Sequence, residues 1–361
     1  MKLTDFRVCM VPPMSAADVP DRYSRQVRFA GIGATGQARL MASHAVLCGC
    51  GALGTVIAET LVRAGIGSLK VIDRDFVEIS NLQRQVLFDE QDVADQLPKS
   101  VAAVNKLRSI NSTVSLEAVV ADVNSQNVLE LIRGADVILD GTDNFETRFL
   151  LNDAALELGV PWIYGGCIGS HGQSMTIFPG ETACLRCLIE SPPEPGTAET
   201  CDTAGVLGPA IQVVASIQSV AALKLLTGQR SLIAPHLTMV DVRDGTWRTI
   251  DVAQLREQAD CAACHRGERR WLRGESASLT TVLCGRNAVQ VTPRQPGHLD
   301  LNSFGDRWSQ LGELTANAFL LKFRPASTEY EITLFRDSRA IIKGTEDPAV
   351  ARTLYARYVG N

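Results

Sequence analysis

The sequence lacks the features that direct proteins to membranes, to secretion or to nucleic acids. Its first residues contain no apolar run of signal-peptide length and include Asp5. The most apolar segment, residues 204–226, is interrupted by a proline, two glutamines and a lysine, as expected of a core helix rather than a membrane span. The formal net charge of −5 gives no general attraction to nucleic acids or acidic membranes. We expect a cytoplasmic protein whose partner is neither a membrane nor a nucleic acid.

Other absences limit the kinds of nucleotide-binding and cysteine site that the chain can contain. The G-x-x-x-x-G-K-[ST] motif does not occur, so P-loop nucleotide binding is excluded. The ten cysteines do not form a secreted disulfide framework. Two C-x-x-C pairs among them indicate metal binding in a reducing compartment. No repeat of solenoid length is found. The 361 residues, 45% hydrophobic and 21% charged, are enough for two domains and a large core.

The chain is organised around a glycine-rich turn at residues 45–54. A buried strand runs into Gly49, Gly51 and Gly54, an apolar-periodic helix follows, and a second buried strand ends at Asp73. In this βαβ context the glycines let the backbone approach a phosphate and the helix N-terminus favours negative charge. The acid at the end of the second strand can bind ribose hydroxyls. Alone, the motif indicates a nucleotide, most often a dinucleotide.

Alternating strands and helices predict an α/β fold with a doubly wound, Rossmann-like, mostly parallel sheet. Later strands alternate in polarity and are expected to continue the sheet in antiparallel fashion. A smaller α+β unit follows. The predicted divisions are an N-terminal arm at 1–20, the main domain at 21–266, a charged linker at 267–278 and a C-terminal domain at 279–361.

The run after Asp73 changes the interpretation of the glycine motif, because it contains an Asn-x-x-Arg-Gln segment. The matching positions along the chain are Arg25, Asp73, Asn81, Arg84, Gln85, Lys99 (in a Pro-Lys pair), Asp143 and Asn144 (in Thr-Asp-Asn). With the glycine turn, this set resembles the ThiF/MoeB/HesA family, relatives of ubiquitin-activating enzymes, over roughly residues 21–265. One departure is the pair Gln96-Leu97 before the Pro-Lys pair, where the family pattern leads us to expect a glycine near the turn.

The resemblance implies ATP-dependent adenylation of the C-terminal glycine of a ubiquitin-like sulfur carrier protein that ends in Gly-Gly. The activated carrier would become a thiocarboxylate used in thiamine, molybdopterin or related biosynthesis. The C-terminal unit has no obvious rhodanese-type cysteine loop, so we expect a separate protein to donate the sulfur. The resemblance also implies an obligate homodimer in which Arg25 reaches the nucleotide of the other subunit.

The chemistry of adenylation explains why cationic and acidic residues occur at these positions. A carboxylate that attacks the α-phosphate of ATP needs the negative charge on both reactants neutralised. We assign Arg84 and Lys99 to the phosphates, Asp73 to the ribose and Asp143 to Mg²⁺. The glycine turn, with Asn81, Gln85 and Asn144, completes the expected nucleotide site.

Four cysteines form the second strong pattern: Cys184, Cys187, Cys261 and Cys264. Two C-x-x-C pairs make a closed, tetrahedral Cys₄ zinc site, which has a structural rather than a catalytic role. The family has the same four cysteines. A disulfide or unrelated buried thiols are the alternatives, and His265 is expected to be a neighbour rather than a ligand.

Cys201 follows a proline-rich loop and precedes a helix, a position that can lower the pKa of a thiol and leave it accessible. The resemblance implies that a cysteine here links covalently to the carrier during sulfur transfer. The alternative is an incidental loop cysteine.

Three other functions remain open from the sequence. A relative could activate a carboxylate on a tRNA nucleoside. An NAD-dependent oxidoreductase would use the glycine turn but leave Arg25, Arg84 and Lys99 without a role. A zinc-stabilised scaffold could bind nucleotide without turnover.

Overall fold

The computed structural model describes residues 19–192, 204–275, 280–283, 287–293 and 299–360. The chain forms two compact units, and the described residues 19–192 and 206–275 belong to the first. Trp271 is buried there, with its ring centroid 5.3 Å from that of Phe149, and its backbone N–H donates to Asp153. The expected linker comprises residues 267–278. Its part up to residue 275 therefore packs on the first unit.

The first unit is built on an eight-stranded sheet with the order β3-β2-β1-β4-β5-β6-β7-β8. Strands β1 to β5 pair in parallel, and β6, β7 and β8 continue the sheet in antiparallel fashion, as the sequence predicts. The strands are β1 His44–Cys48, β2 Ser68–Ile72, β3 Ser115–Val119, β4 Val137–Asp140, β5 Trp162–Ile168, β6 His171–Ile177, β7 His236–Asp241 and β8 Thr246–Asp251.

Helices cover both faces of this sheet, which confirms the doubly wound arrangement. Leu61, Val104 and Val214 lie in one buried apolar cluster, and Val128 and Phe149 lie in the other. The helices are α1 Ser24–Arg28, α2 Gly33–Met41, α3 Ala52–Ala64, α4 Glu90–Ala94, α5 Lys99–Ile110, α6 Val128–Ile132, α7 Phe145–Leu158, α8 Leu185–Leu188, α9 Gly208–Leu226 and α10 Leu255–Gln258. Short 3₁₀ turns occur at Asp21–Tyr23, Ile79–Asn81 and Arg230–Leu232.

Helix α9 is long and apolar enough to cross a membrane by length and composition. In the first unit, however, it packs against α3, β5 and β6, with Val214, Ala215 and Gln218 fully buried. A Cβ on Gly172 of β6 would lie 2.1 Å from Val214, so the helix and the strand are in close contact. Helix α9 is the core helix that the interrupted apolar segment predicts.

The second unit is a small α+β fold. Its described strands form an antiparallel sheet in the order β11-β12-β13-β14-β10-β9. Trp308 stacks on Phe323 in its core, with ring centroids 4.7 Å apart. The elements are β9 Thr280–Leu283, β10 Ala288–Val291, α11 Leu301–Trp308, β11 Gly312–Ala316, β12 Leu320–Pro325, β13 Glu331–Phe335, β14 Ala340–Lys343 and α12 Pro348–Tyr358.

Candidate functional site

The candidate site lies where β1, β2 and β4 reach their carboxyl ends. The strand order reverses between β1 and β4, and open α/β sheets bind ligands outside such a switch point. The turns after β1 and β4 touch there, because a Cβ on Gly49 would lie 2.6 Å from the backbone of Gly141. Gly49 has a φ of 89°, in the left-handed region that glycine adopts without strain.

The three glycines of the motif have different structural roles. A Cβ on Gly54 would lie 2.1 Å from the carbonyl oxygen of Gly49, so Gly54 lets α3 pack against the turn. A Cβ on Gly51 would meet only the side chain of Gln85 at 3.8 Å and Gly141 at 3.9 Å. The protein itself therefore has room for a side chain at Gly51. Its absence leaves the surface of the turn open to a ligand, which fits a bound phosphate.

Asp73 lies beside this turn. Its carboxylate accepts the backbone N–H of Cys50 at 2.6 Å and that of Asp75 at 2.7 Å. Burial raises the pKa of Asp73, and the nearby ammonium of Lys99 opposes that rise. The acid predicted for the ribose is thus joined directly to the glycine turn.

Three charged side chains at the end of β2 and the start of α5 form a connected group. Lys99 is only 4% exposed, and its Nζ lies 3.2 Å from a carboxylate oxygen of Asp75. Arg74 contacts the other oxygen of Asp75 at 3.8 Å and donates to Asp122 at 2.8 Å. Burial opposes the charge on Arg74, but Asp122, Asp75 and Asp143 together raise its pKa. Because Asp143 follows β4 and contributes to this rise in the pKa of Arg74, the end of β4 lies within electrostatic range of the three charged side chains.

The Asn-x-x-Arg-Gln segment lies in and after the turn Ile79–Asn81. Asn81 is buried, and its side chain accepts the N–H of Glu78 at 3.1 Å, so it shapes the loop. Arg84 is half-buried and donates to the carbonyl of Ser80 at 2.8 Å. The side chain of Gln85 lies beside the glycine turn, and its Oε1 is a buried acceptor with no hydrogen-bond partner among the described residues. Such an acceptor fits a site completed by a ligand donor.

Asp143 is exposed at the carboxyl edge of the sheet, and Asn144 next to it caps α7 by accepting the N–H of Thr147 at 2.8 Å. An exposed carboxylate is the oxygen ligand that Mg²⁺ prefers. The oxygen of Asn144 is already engaged as a helix cap, so that residue shapes the site through the backbone.

Arg25 is exposed on α1 and does not join this group. Its neighbours bind the far ends of α3 and α5: Gln26 donates to the carbonyl of Ala64 at 2.8 Å, and the Tyr23 hydroxyl accepts from Asn111 at 2.8 Å. Helix α3 begins at the glycine turn and has 13 residues, so α1 lies about 18 Å away along its axis. That separation is longer than one arginine side chain.

The four cysteines are brought together as predicted. Their Sγ atoms all lie within 4.8 Å of one another, with separations of 3.7 Å (Cys184–Cys261), 3.9 Å (Cys184–Cys187) and 3.4 Å (Cys187–Cys264). A tetrahedron with zinc–sulfur bonds of about 2.3 Å has edges of about 3.8 Å, so the cluster is compatible with zinc. The His265 ring instead pairs with Asp260 at 3.1 Å, as expected of a neighbour.

Sequence reasoning missed Arg74, Asp75 and Arg148. The first two directly follow Asp73 at the end of a strand, which is a signal that could have identified them. Arg148 lies one turn inside α7 and gives no such signal. Gln96, near the position where a glycine was expected, has a φ of 50° and so adopts the left-handed backbone conformation. Cys201 lies outside the described residues.

Comparison with known proteins agrees with this geometry. A model of the ThiF family matches residues 23–263. The sulfur carrier protein ThiS adenylyltransferase of Bacillus subtilis is 46% identical over 340 residues, or 94% of this chain and 99% of that protein. The SAMP-activating enzyme E1 of Haloferax volcanii is 40% identical over 68% of this chain and 89% of its own length. A crystal structure of Escherichia coli MccB with ATP has a similar fold, with a TM-score of 0.59 at 22% identity, covering 68% of this chain and 74% of that one.

Proposed function

This chain belongs to the ThiF family, and on that basis we propose that it adenylates the C-terminal glycine of a ubiquitin-like sulfur carrier protein. The observation that carries the proposal is the group formed by Arg74, Lys99, Asp75 and Asp143 beside an open glycine turn. The activated carrier would then become a thiocarboxylate for thiamine, molybdopterin or related synthesis. The 46% identity to a ThiS adenylyltransferase favours a carrier of the ThiS kind.

In this reaction a carboxylate oxygen of the carrier forms a bond to the α-phosphorus of ATP. The bond from that phosphorus to the oxygen bridging to the β-phosphate breaks, and pyrophosphate leaves with the electron pair. Lys99, Arg74 and Arg84 neutralise the phosphates, while Asp73 orients the ribose. Asp143 would hold Mg²⁺, which supplies further neutralisation of the triphosphate when bound.

The decisive experiment is exchange of labelled pyrophosphate into ATP with and without a carrier that ends in Gly-Gly. We expect exchange only with the carrier. An NAD-dependent oxidoreductase or a nucleotide-binding scaffold would show no pyrophosphate exchange even with the carrier. An RNA-modifying relative would require RNA instead of the carrier. Deleting the last glycine of the carrier is the control and should abolish exchange.

We propose that the active form is a homodimer. Arg25 is too far along α3 to reach the nucleotide site of its own chain, so a second copy would have to supply it. Large apolar side chains are exposed on the first unit, including Phe29 (64%), Leu232 (59%) and Val220 (51%). Phe29 directly follows α1, which carries Arg25, and the neighbouring Gly31 lies beside the loop after α9.

Arg25→Ala should lower carrier-dependent exchange about a hundredfold, because one cation is lost from each site. Mixing it with an equal amount of Lys99→Ala after subunit exchange should restore about a quarter of the wild-type rate. About half of the dimers would then be mixed, each with one intact site of two. If the mixture stays as inactive as its components, Arg25 does not act across the dimer.

Substitutions at two glycines should separate folding from ligand binding. Gly51→Ala meets only ordinary contacts, so its melting temperature should stay close to wild type while its Kd for ATP rises at least about tenfold. Gly54→Ala forces a Cβ into backbone and should cost about 3 kcal/mol or more of the free energy of unfolding. Calorimetry and chemical denaturation measure the two effects. If Gly51→Ala binds ATP with normal affinity, the proposed role of Gly51 in phosphate binding is contradicted.

Several further roles complete the proposal. The four-cysteine cluster would hold a structural zinc ion. A separate protein would donate sulfur, with Cys201 as the thiol that links to the carrier. The second unit is proposed as a docking module, and the enzyme as cytoplasmic.

A further inference from the structure

The turn that carries Asp143 is held on both sides by hydrogen-bonded side chains. Asp140 is fully buried at the end of β4, and its carboxylate accepts the N–H of Thr142 at 2.9 Å and the Thr142 hydroxyl at 2.7 Å. On the other side of Asp143, Asn144 is fixed as the cap of α7. Since the Asp143 side chain is exposed, its position depends on the backbone of its two neighbours.

One side chain fixes the remaining backbone group of Thr142. Arg148 is 8% exposed, and its Nη2 donates to the carbonyl of Thr142 at 2.7 Å and to that of Gly165 at 3.0 Å. Its Nε lies 3.4 Å from the carboxylate of Asp140. The peptide bond between Thr142 and Asp143 is thereby tied to both β5 and β4.

Aromatic rings hold the guanidinium in place. The Cζ of Arg148 lies 5.5 Å from the ring centroid of Tyr164 and 5.9 Å from that of Phe145. The Tyr164 hydroxyl in turn accepts from Gln173 at 2.6 Å. A lysine in this place could not bind both carbonyls and the carboxylate at once, because it lacks the planar fork of donors.

We propose that Arg148 is a positioning residue for the reaction: through the Thr142 carbonyl it fixes Asp143 where the divalent metal ion of the nucleotide is bound. This inference rests on the proposed function, which assigns the metal to Asp143. Groups behind a metal ligand commonly change metal affinity 10–100-fold, and small displacements of reacting groups cost large factors in rate.

The test measures metal binding apart from turnover. Electron paramagnetic resonance of Mn²⁺, with the ATP analogue adenosine 5′-(α,β-methylene)triphosphate present, gives the Mn²⁺ affinity of the full-length protein. Arg148→Met should raise the Kd for Mn²⁺ at least about tenfold, and Arg148→Lys should give an intermediate value. Arg339→Met removes an arginine of the second unit that is also buried, and it is the matched control, with an unchanged Kd.

Pyrophosphate exchange gives the second measurement. The half-saturating Mg²⁺ concentration should rise about tenfold in Arg148→Met, with most of the rate recovered at high Mg²⁺. A lower rate at every Mg²⁺ concentration with normal Mn²⁺ affinity would overturn the inference, because it would show a general structural role. Should Arg148→Met fail to fold, Arg148→Lys decides by the same criterion.

Asp143→Asn separates the two levels of the proposal. Unchanged Mn²⁺ affinity in that variant would remove the metal assignment and overturn the inference with it. Weakened binding in Asp143→Asn with wild-type binding in both Arg148 variants would overturn the role of Arg148 alone.

Discussion

Lys99→Ala is expected to reduce carrier-dependent pyrophosphate exchange at least about a thousandfold. Lys99 is the first residue of α5, and its ammonium lies in the group of charges beside the glycine turn. It would be one of the few cations that can neutralise the triphosphate while the carrier carboxylate approaches. The Lys99 side chain is buried, so bulk water cannot compensate for the loss of its positive charge during the reaction.

Lys106→Ala is the matched control on the same helix. Lys106 pairs with Asp89 and Asp92 and takes no part in the group around Asp75, so exchange should stay within about twofold of wild type. Circular dichroism and gel filtration should show both variants folded. A folded Lys99→Ala enzyme with more than about a tenth of the wild-type rate would contradict the phosphate role.

Loss of the cysteine cluster is expected to lower the thermal stability of the protein markedly. Cys264→Ser should remove close to one zinc ion per chain and lower the melting temperature by about 10 °C or more. The cluster joins α8 and the cysteine before it to the segment after α10, and these two parts of the chain are far apart in sequence. The backbone around it is also buried: the N–H of Leu185 donates to Asn152 at 2.9 Å.

Cys167→Ser is the control for this prediction. Cys167 is a half-buried cysteine on β5 outside the cluster, and its replacement should leave the zinc content unchanged. Metal analysis of the purified proteins and scanning calorimetry measure both quantities. Full zinc content and an unchanged melting temperature in Cys264→Ser would contradict a four-cysteine zinc site.

The sequence patterns that predicted the fold were those with local causes. Buried apolar strands followed by helices predicted the parallel half of the sheet, and alternation at 237–241 and 247–251 predicted its antiparallel end. Glycine spacing predicted the turn, and the structure separates its members: Gly49 and Gly54 are needed for packing, whereas Gly51 keeps a surface open.

What the sequence could not predict depends on contacts between distant segments. The charged run after residue 266 read as a linker, yet Trp271 within it packs on Phe149, and its N–H is held by Asp153. Arg148 gave no signal because its partners are two backbone carbonyls, that of Thr142 in the turn after β4 and that of Gly165 on β5. The role of Arg25 remains a prediction about a second chain, because its proposed partner is the nucleotide site of the other subunit.

The pairing of Asp75 with Lys99 means that the enzyme carries its own counterion. If Lys99 has the proposed phosphate role, an incoming triphosphate has to compete with that carboxylate. The affinity for ATP would then reflect the difference between two anion–cation attractions rather than the whole of one. Once pyrophosphate has left, Asp75 would pair with the ammonium of Lys99 again and oppose the return of pyrophosphate. The same carboxylate that weakens nucleotide binding would therefore also weaken product inhibition by pyrophosphate.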